Sequence, residues 1–568
     1  MSRVFGSLKH TNKFSAIDKI KWYVKIRIVE SSILDYVLLI FGVDINNPTK
    51  YYPVINKYLL KVQLVKILSI SIVLSLLTTS YLFFINKLNL LLATILLVIP
   101  FILPPVIVNV YLNLLKVDRR NRINRDLIPF LTVMSIYASM DKIEAGFRAL
   151  VTRFRDILSV IVSELRLWII KTELGEKSID DIAIQETSYH PSEEFKNLIV
   201  QFINFKYTGG DIATFFIDRL DKKINELRDK WDITWKNISS NLEIILIIFG
   251  LSPILISLTG FIMDVSTLHR LSYILYIIIP LIGLLVYIII DGKFPHQTGF
   301  ATKYPIYIIV ISIVSIIIYL FFLILSPGII IHLSLSIMIA IIIALLPISI
   351  YGLKLWKVVR EEEYGTQLFL ESAEEWLRHG YSLENIIDKL NVDGYPNSFK
   401  KIILSYRGGL YEGLDPDEII NKINIHSRLV YLIFKIINEI LIIGGGLREI
   451  IRLRRVFDSY TYVKRRIMES SILPMIMAVV IPSIGVYSIK IINELLKLVI
   501  TSNFPILWLS LDVYRIALST SINILILGVF VSSTLLAKTI SGSLKYVQFI
   551  LPPLISLLVS LIIVQPWA

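Results

Sequence analysis

The chain contains no cysteine, and this absence excludes thiolate catalysis, cysteine-ligated metals and disulfides. Histidine is scarce as well, with 7 among 568 residues. No two histidines stand four residues apart with a carboxylate between them, so the zinc-hydrolase motif is missing. We therefore identify no catalytic residues and expect no metal and no other cofactor.

Charged residues are rare in the long apolar runs of the sequence. A helix that crosses a membrane needs roughly 20 mostly apolar residues. Nine runs meet this need, at 66–85, 89–113, 242–263, 271–290, 305–326, 329–351, 472–490, 513–537 and 547–564. Ion-coupled transporters hold ionisable residues at mid-membrane depth. Here Glu243 and His332 lie near the ends of runs, so the pattern argues against a transporter.

The composition is that of a membrane protein with a basic balance. Hydrophobic residues make up 55% of the chain, and 58 Lys and Arg against 45 Asp and Glu give a net charge of +13. In a membrane protein such an excess indicates orientation and contact with anionic lipid, not nucleic acid. The positive-inside rule is satisfied when the N-terminus is cytoplasmic and the C-terminus is outside the cell membrane.

A duplicated plan organises the chain, because two long polar regions of helical pattern each lead into an apolar run. The predicted fold class is all-α: a polytopic, multi-pass membrane protein with about nine transmembrane helices and two cytoplasmic helical-bundle domains. The predicted segments are a basic cytoplasmic N-terminal segment (1–65), a transmembrane hairpin (66–114), the first bundle (115–241), two further hairpins (242–290 and 305–351), the second bundle (352–470) and three C-terminal transmembrane helices (471–568).

Short polar motifs set the helix boundaries within the bundles. Ser178 and Ser192 are predicted to cap helices, and Glu361-Glu362-Glu363 is predicted to be a solvated helix start, not a cation site. The glycines expected at structural turns are Gly146, Gly209, Gly210, Gly380, Gly444, Gly445 and Gly446. Neither glycine cluster is followed by Lys and then Ser or Thr, so neither predicts a nucleotide-binding loop.

Each glycine turn is followed by a basic helix that enters an apolar run. These helices are candidates for docking an acidic cytoplasmic partner or for contacting anionic headgroups, and the two roles are not exclusive. The candidate residues are Lys222, Lys223, Arg228, Lys230, Arg452, Arg454, Arg455, Lys464, Arg465 and Arg466.

Several motifs appear in a recurring order: Ala145-Gly146-Phe147, then Phe205 to Asp211, then Leu251-Ser252-Pro253, with Arg378 to Leu383 and Gly444 to Leu447 as looser matches in the second half. This order resembles the type II secretion F-domain family, the membrane platform proteins of type IV pili and type II secretion. The resemblance covers about residues 115–265 and 355–490. The number of apolar runs is similar to that of the archaeal members, which serve archaella and adhesive pili.

The resemblance implies a platform protein that is not an enzyme and sits at the base of a filament. Such proteins bind a hexameric secretion ATPase through their cytoplasmic domains, relay its motion to pilin or archaellin subunits, and form a homodimer. We therefore expect a type IV pilus or archaellum assembly platform. The alternative is a polytopic membrane transporter or a lipid-linked glycan enzyme, and a third possibility is a scaffold without motor coupling.

Overall fold

The computed structural model describes residues 90–175, 178–259, 265–293, 333–501, 511–541 and 547–564. All regular secondary structure in these ranges is helical, as the sequence predicts. The predicted N-terminal segment (1–65) and the predicted spans at 66–85 and 305–326 lie outside the described residues.

The helices are numbered here in chain order. They are α1 (Leu90–Ala138), α2 (Ile143–Arg153), α3 (Ser159–Glu173), α4 (Ile179–Ser188), α5 (Glu193–Tyr207), α6 (Ile212–Thr259), α7 (Val265–Lys293), α8 (Leu333–Arg378), α9 (Leu383–Lys389), α10 (Asn397–Tyr411), α11 (Pro416–Lys422), α12 (Arg428–Ile443), α13 (Leu447–Thr501), α14 (Leu511–Ser541), a 3-10 turn (Val547–Phe549) and α15 (Leu551–Val564).

Serine caps begin several of these helices. The two caps predicted from sequence are confirmed: Ser178 Oγ accepts from the amide of Asp181 at 3.2 Å, and Ser192 Oγ accepts from Phe195 at 3.1 Å. Ser427 caps α12 in the same way. Because a cap satisfies an amide that has no partner inside the helix, each contributes about 1 kcal/mol.

Six helices, α1 to α6, are followed after α7 by six more, α8 to α13, in a similar order of lengths. The third helices of the two sets, α3 and α10, have 15 residues each. The fifth, α5 and α12, have 15 and 16, and the last, α6 and α13, have 48 and 55. The described helices thus occur in a similar order of lengths in the two halves, and the two predicted domains and their boundaries stay predictions.

The chain divides into two compact units. Among the described residues, the first unit comprises 90–127 and 154–211, and the second comprises 128–153 together with everything from Ile212 onward. The core of the first unit contains Phe154, Trp168 and Phe195, which are buried. The rings of Trp168 and Phe195 stack with centroids 6.0 Å apart.

One ion pair is buried in the first unit. The guanidinium of Arg119 lies 2.6 Å from the carboxylate of Glu164, and both side chains are 4% exposed. His190 lies beside them, with its Nε2 3.8 Å from the same carboxylate. Because removing one member of a buried pair leaves the other charge without compensation, this pair fixes α1 against α3.

Helices α6, α8 and α13 of the second unit each have a polar half and an apolar half. Among the described residues, five helices are long and apolar enough to cross a membrane: Ile212–Leu258, Arg270–Ile290, Met338–Arg378, Leu447–Leu495 and Ala517–Ser541; Leu551–Val564 is a shorter apolar helix. The described part of the chain is thus all-helical and has the apolar helices of a membrane protein, and the full count of nine spans remains a prediction.

The apolar halves of α8, α13, α14 and α15 share one buried cluster. Met338 of α8, Val486 of α13, Leu525 of α14 and Leu554 of α15 are each fully buried in it. Burying one such side chain stabilises a fold by roughly 1.5–3 kcal/mol in water but by much less in lipid. Close packing of the side chains is therefore the main force that holds these halves together.

Helices α6 and α13 lie side by side and run parallel. Arg228 donates to Ser459 and Ser239 donates to the carbonyl of Ser470, and each pair is 231 residues apart in sequence. Gly250 and Ile481, which are also in contact, keep the same offset. A constant offset over this length shows that the two helices stay in register from their polar halves into their apolar halves.

Candidate functional site

Helix α12 is buried on all sides, from Leu432 to Ile440. A helix that is apolar all round belongs in the interior of a fold. Three polar residues nevertheless lie within this stretch: Lys435 (4% exposed), Asn438 (0%) and Glu439 (0%). Since burying a polar or charged group without a partner is costly, the partners of these residues define the site.

Glu439 is held by two residues from before Ile212. The hydroxyl of Tyr137, near the end of α1, donates to Glu439 Oε2 at 2.5 Å. Arg153, the last residue of α2, donates from Nη1 to both carboxylate oxygens, at 3.2 and 3.0 Å. Its Nε lies 3.5 Å from Asp417 of α11. We call Tyr137, Arg153, Asp417, Lys435 and Glu439 the Glu439 cluster.

The other two polar residues of α12 also have partners. Lys435 Nζ donates to the carbonyl of Arg153 at 2.6 Å, so a cation lies at the carboxyl end of α2, where the helix dipole favours it. Asn438 Oδ1 accepts from the hydroxyl of Tyr406 at 2.5 Å. The three polar residues of α12 therefore fasten α2, the end of α1 and α10 to one buried helix.

The environment shifts the acid–base properties of the cluster. Burial, and secondly the hydrogen bond to Glu439, raises the pKa of the Tyr137 hydroxyl. Burial also raises the pKa of the Glu439 carboxyl, although Tyr137 and Arg153 oppose the shift. For Arg153, burial lowers the pKa but the charge of Glu439 outweighs it, so the guanidinium stays charged. The cluster thus places the Glu439 carboxyl between the phenol of Tyr137, which keeps its proton, and the charged guanidinium of Arg153.

A second polar set lies in the middle of α8. The prediction that Glu361-Glu362-Glu363 forms a solvated helix start is wrong, because these residues lie inside a 46-residue helix and Glu362 is 1% exposed. Glu361 accepts from the hydroxyl of Ser398 at 2.6 Å, in the first turn of α10. Glu362 accepts from the amides of His426 and Ser427 at the start of α12. The carboxylates are placed at two helix amino ends, where negative charge is stabilising.

The third glutamate of the set connects α8 to α13. Glu363 Oε2 lies 2.7 Å from Lys464 Nζ, and the side chain of Glu363 is 11% exposed. Farther along α8, Glu371 and Glu374 lie 3.2 and 2.9 Å from the guanidinium of Arg454. Later residues of α8 face earlier residues of α13, so these two helices run antiparallel. We call these contacts the α8–α13 clamp.

The predicted basic residues of α6 differ in their surroundings. Lys222 is exposed, and Lys223 pairs with Glu226 at 2.7 Å. Arg228 donates to Ser459 at 3.2 Å. The side chain of Lys230 lies outside the described residues. Of these candidates, Lys222 is the one placed on the surface.

The predicted basic residues of α13 fall into two groups. Arg452, Arg454 and Lys464 are partly or mostly buried and face partners inside the second unit, Arg452 through the carbonyl of Ser135 at 3.3 Å. The other three are exposed by more than half: Arg455 lies 3.8 Å from Asp221, Arg465 lies 3.7 Å from Glu469, and Arg466 lies 3.5 Å from Glu469 and donates to the Tyr462 hydroxyl at 3.2 Å. The structure therefore separates internal from surface charges that are adjacent in sequence.

The predicted glycines lie at helix ends with one exception. Gly209 and Gly210 separate α5 from α6, Gly380 follows α8, and Gly444 to Gly446 separate α12 from α13. Positive φ angles at Gly209 (73°), Gly380 (86°) and Gly444 (79°) explain the need for glycine there. Gly146 does not form a turn. It lies inside α2, where a Cβ would be 2.9 Å from the Cβ of Tyr137, so glycine allows the close approach of α2 to α1.

The polar clusters described above connect helices to one another. In the described ranges, no group of three or more His, Asp and Glu is placed to hold a metal ion. The Glu439 cluster was not anticipated from sequence, because its members are up to 302 residues apart. The sequence nevertheless contains a signal for this cluster. Lys435, Asn438 and Glu439 interrupt an otherwise apolar helix, and this pattern indicates that they have buried polar partners.

Comparison with known proteins gives no relative for this chain. No protein-family model matches the sequence, no curated protein matches it, and no solved structure matches the fold.

Proposed function

We propose that this protein is the membrane platform of a type IV pilus-like assembly machine, an archaeal pilus or archaellum, that docks a cytoplasmic hexameric secretion ATPase and relays its motion to pilin insertion. The observation that carries the proposal is the continuity of α8 and α13. Each is a single helix that holds the α8–α13 clamp in its polar half and the shared apolar cluster in its other half.

Continuity supports a mechanical role because a helix is stiff along its axis. The clamp joins α8 and α13 at two levels, Glu363–Lys464 and Glu374–Arg454. Glu362 ties the same helix α8 to the start of α12, which carries the Glu439 cluster. A displacement imposed on α12 would therefore reach the apolar halves through covalent helices and internal ion pairs, with no loop in between.

The polar interior of the apolar halves supports this proposal over transport or glycan chemistry. Ser257 donates to Ser521 at 2.8 Å, and Ser560 donates to Ser483 at 2.7 Å. These hydroxyls serve one another across helices, as is common in membrane helix packing. Among the buried residues described in the apolar halves, Lys538 is the charged one, and it lies near the end of α14.

The test is recovery of partners from native membranes. The tagged protein is solubilised in mild detergent, and the proteins that copurify are identified by mass spectrometry. We expect a secretion-type ATPase and pilin-like subunits. Recovery of lipid-glycan enzymes, or of a bound solute without any ATPase, would overturn the proposal in favour of the enzyme or transporter alternative.

A further inference from the structure

Glycine and proline occur together in the apolar halves of the parallel helices α6 and α13. Gly250 and Pro253 lie in α6, and Pro482 and Gly485 lie in α13. Gly250 contacts Ile481, the residue before Pro482. Because the two helices are in register, the two pairs lie within about one helical turn of each other.

The glycines allow backbone-to-backbone contact at this level. A Cβ at Gly250 would overlap the Cγ2 of Ile481, and a Cβ at Gly485 would lie 3.5 Å from the carbonyl oxygen of Gly250. Gly528 of α14 completes the contact, since a Cβ there would lie 3.3 Å from the carbonyl oxygen of Phe249. Helices α6, α13 and α14 thus meet at three glycines, which have no side chains to separate the backbones.

The prolines weaken both helices at the same place. Proline has no amide hydrogen, so the carbonyl four residues earlier lacks the backbone amide that it would bond in a regular helix. In α6 that carbonyl belongs to Phe249, which accepts from the hydroxyl of Ser252 at 3.2 Å in place of an amide and which faces Gly528. In α13 it belongs to Ala478, which is 1% exposed. Missing hydrogen bonds at proline are a common cause of helix bending.

Contacts between the polar halves of α6 and α13 hold the two helices together on the amino-terminal side of the glycines and prolines. Arg228 bonds Ser459, and Ser239 bonds the carbonyl of Ser470. Trp231 and Trp235 of α6 are buried in one cluster with Val463 of α13. A bend in one helix at the proline level would therefore carry the other helix with it.

We propose that α6 and α13 share a hinge at Gly250–Pro253 and Pro482–Gly485, where their polar halves tilt as one body relative to their apolar halves, with Gly528 as the contact point. The use of this hinge to relay motion rests on the proposed function; the hinge itself does not.

The test measures distances by spin labelling, and the absence of cysteine means that introduced cysteines are the sole labelling sites. One label replaces Asp229 in the polar half of α6, and the other replaces Ile277 in α7; both positions are exposed. A second label pair, at Arg465 and Ile277, reports on α13. The purified full chain is measured in lipid nanodiscs.

We expect broad distance distributions for both pairs, which become narrower in the double variant Pro253→Ala/Pro482→Ala, because alanine restores both missing helical hydrogen bonds. The first control is Pro280→Ala in α7. The second is Pro474→Ala in α13, where the corresponding residue of α6 is Glu243 and not a proline. Both controls should leave the widths of the distance distributions unchanged.

Equal widths in the parent and the double variant would overturn the hinge, and so would equal narrowing in a control. Narrowing of one label pair without the other would overturn the shared movement. No partner is present in this measurement, so its outcome is independent of ATPase recovery. A rigid pair of helices in a protein that still captures the ATPase would remove the hinge and leave the proposed function standing.

Discussion

The hydroxyl of Tyr137 donates a hydrogen bond to the carboxylate of Glu439, a residue 302 positions later in the chain. Both groups are buried, and Arg153 supplies the compensating charge. The end of α1 and the buried helix α12 are therefore connected by a bond that water cannot replace. Its strength can be measured directly.

Replacing Tyr137 with Phe should destabilise the second unit. The change removes one of the donors to a buried carboxylate, while Arg153 still donates, so we expect a loss of about 1–2 kcal/mol. Thermal unfolding in detergent, followed by helical circular dichroism, measures the effect. The matched control is Tyr411→Phe, because Tyr411 donates to Asp388 from an exposed position. Equal losses in both variants would contradict the assignment of a special role to Tyr137.

Alkaline pH should weaken the fold through its buried tyrosines. Burial raises the pKa of Tyr137 and of Tyr406 above the ordinary tyrosine value of 10.0. Above pH 10 the unfolded chain releases these protons but the folded chain retains them. The contribution of the two tyrosines to the free energy of unfolding is therefore fully present below pH 10 and is lost as the pH rises toward their pKa in the folded protein. The double variant Tyr137→Phe/Tyr406→Phe should be less stable at neutral pH but lose less between pH 9 and 11. Parallel curves for the two proteins would refute this account.

The α8–α13 clamp should show measurable coupling. Removing Glu363 and Lys464 singly and together gives a double-mutant cycle, and we expect a coupling of about 1 kcal/mol or more, because Glu363 is mostly buried. Arg465 and Glu469, an exposed pair on the same helix, give the control cycle, expected below about 0.5 kcal/mol. Similar values in the two cycles would mean that the clamp adds no more than a surface pair.

Helix boundaries can be predicted from sequence where a few neighbouring residues determine them. Ser178 and Ser192 cap helices because each serine acts on an amide three residues away. The glycine at 444 ends α12 because its backbone angle disfavours a side chain. These are local effects, so one sequence suffices to find them.

The candidate site could not be read in the same way, because it depends on pairing between distant segments. Glu361 to Glu363 have the composition of a solvated helix start, yet tertiary packing places them against α10, α12 and α13. Likewise Arg454 and Arg455 are neighbours in sequence, but a helix turns about 100° between them. One therefore faces α8 and the other faces outward.

Because Arg454 faces α8 and Arg455 is exposed, a role in docking can be tested separately from a role in folding. If exposed basic residues bind the ATPase, charge reversal at Lys222 or Arg455 should weaken ATPase binding while the protein remains folded. Arg454→Glu should instead lower thermal stability, because it places a third acid beside Glu371 and Glu374. Binding is measured with the purified full chain in nanodiscs of neutral lipid. Unchanged ATPase affinity, with weaker binding to anionic vesicles, would assign the exposed residues to lipid.

The predicted orientation can be tested with the same cysteine-free background. Tyr411, in the second predicted bundle, is 73% exposed, and Arg270, at the predicted outer end of α7, is exposed too. The positive-inside rule puts Tyr411 in the cytoplasm and Arg270 outside. A membrane-impermeant thiol reagent should therefore label Arg270→Cys in intact cells, and Tyr411→Cys after permeabilisation alone. Labelling of Tyr411→Cys in intact cells would reverse the orientation and remove the polar halves from any cytoplasmic motor.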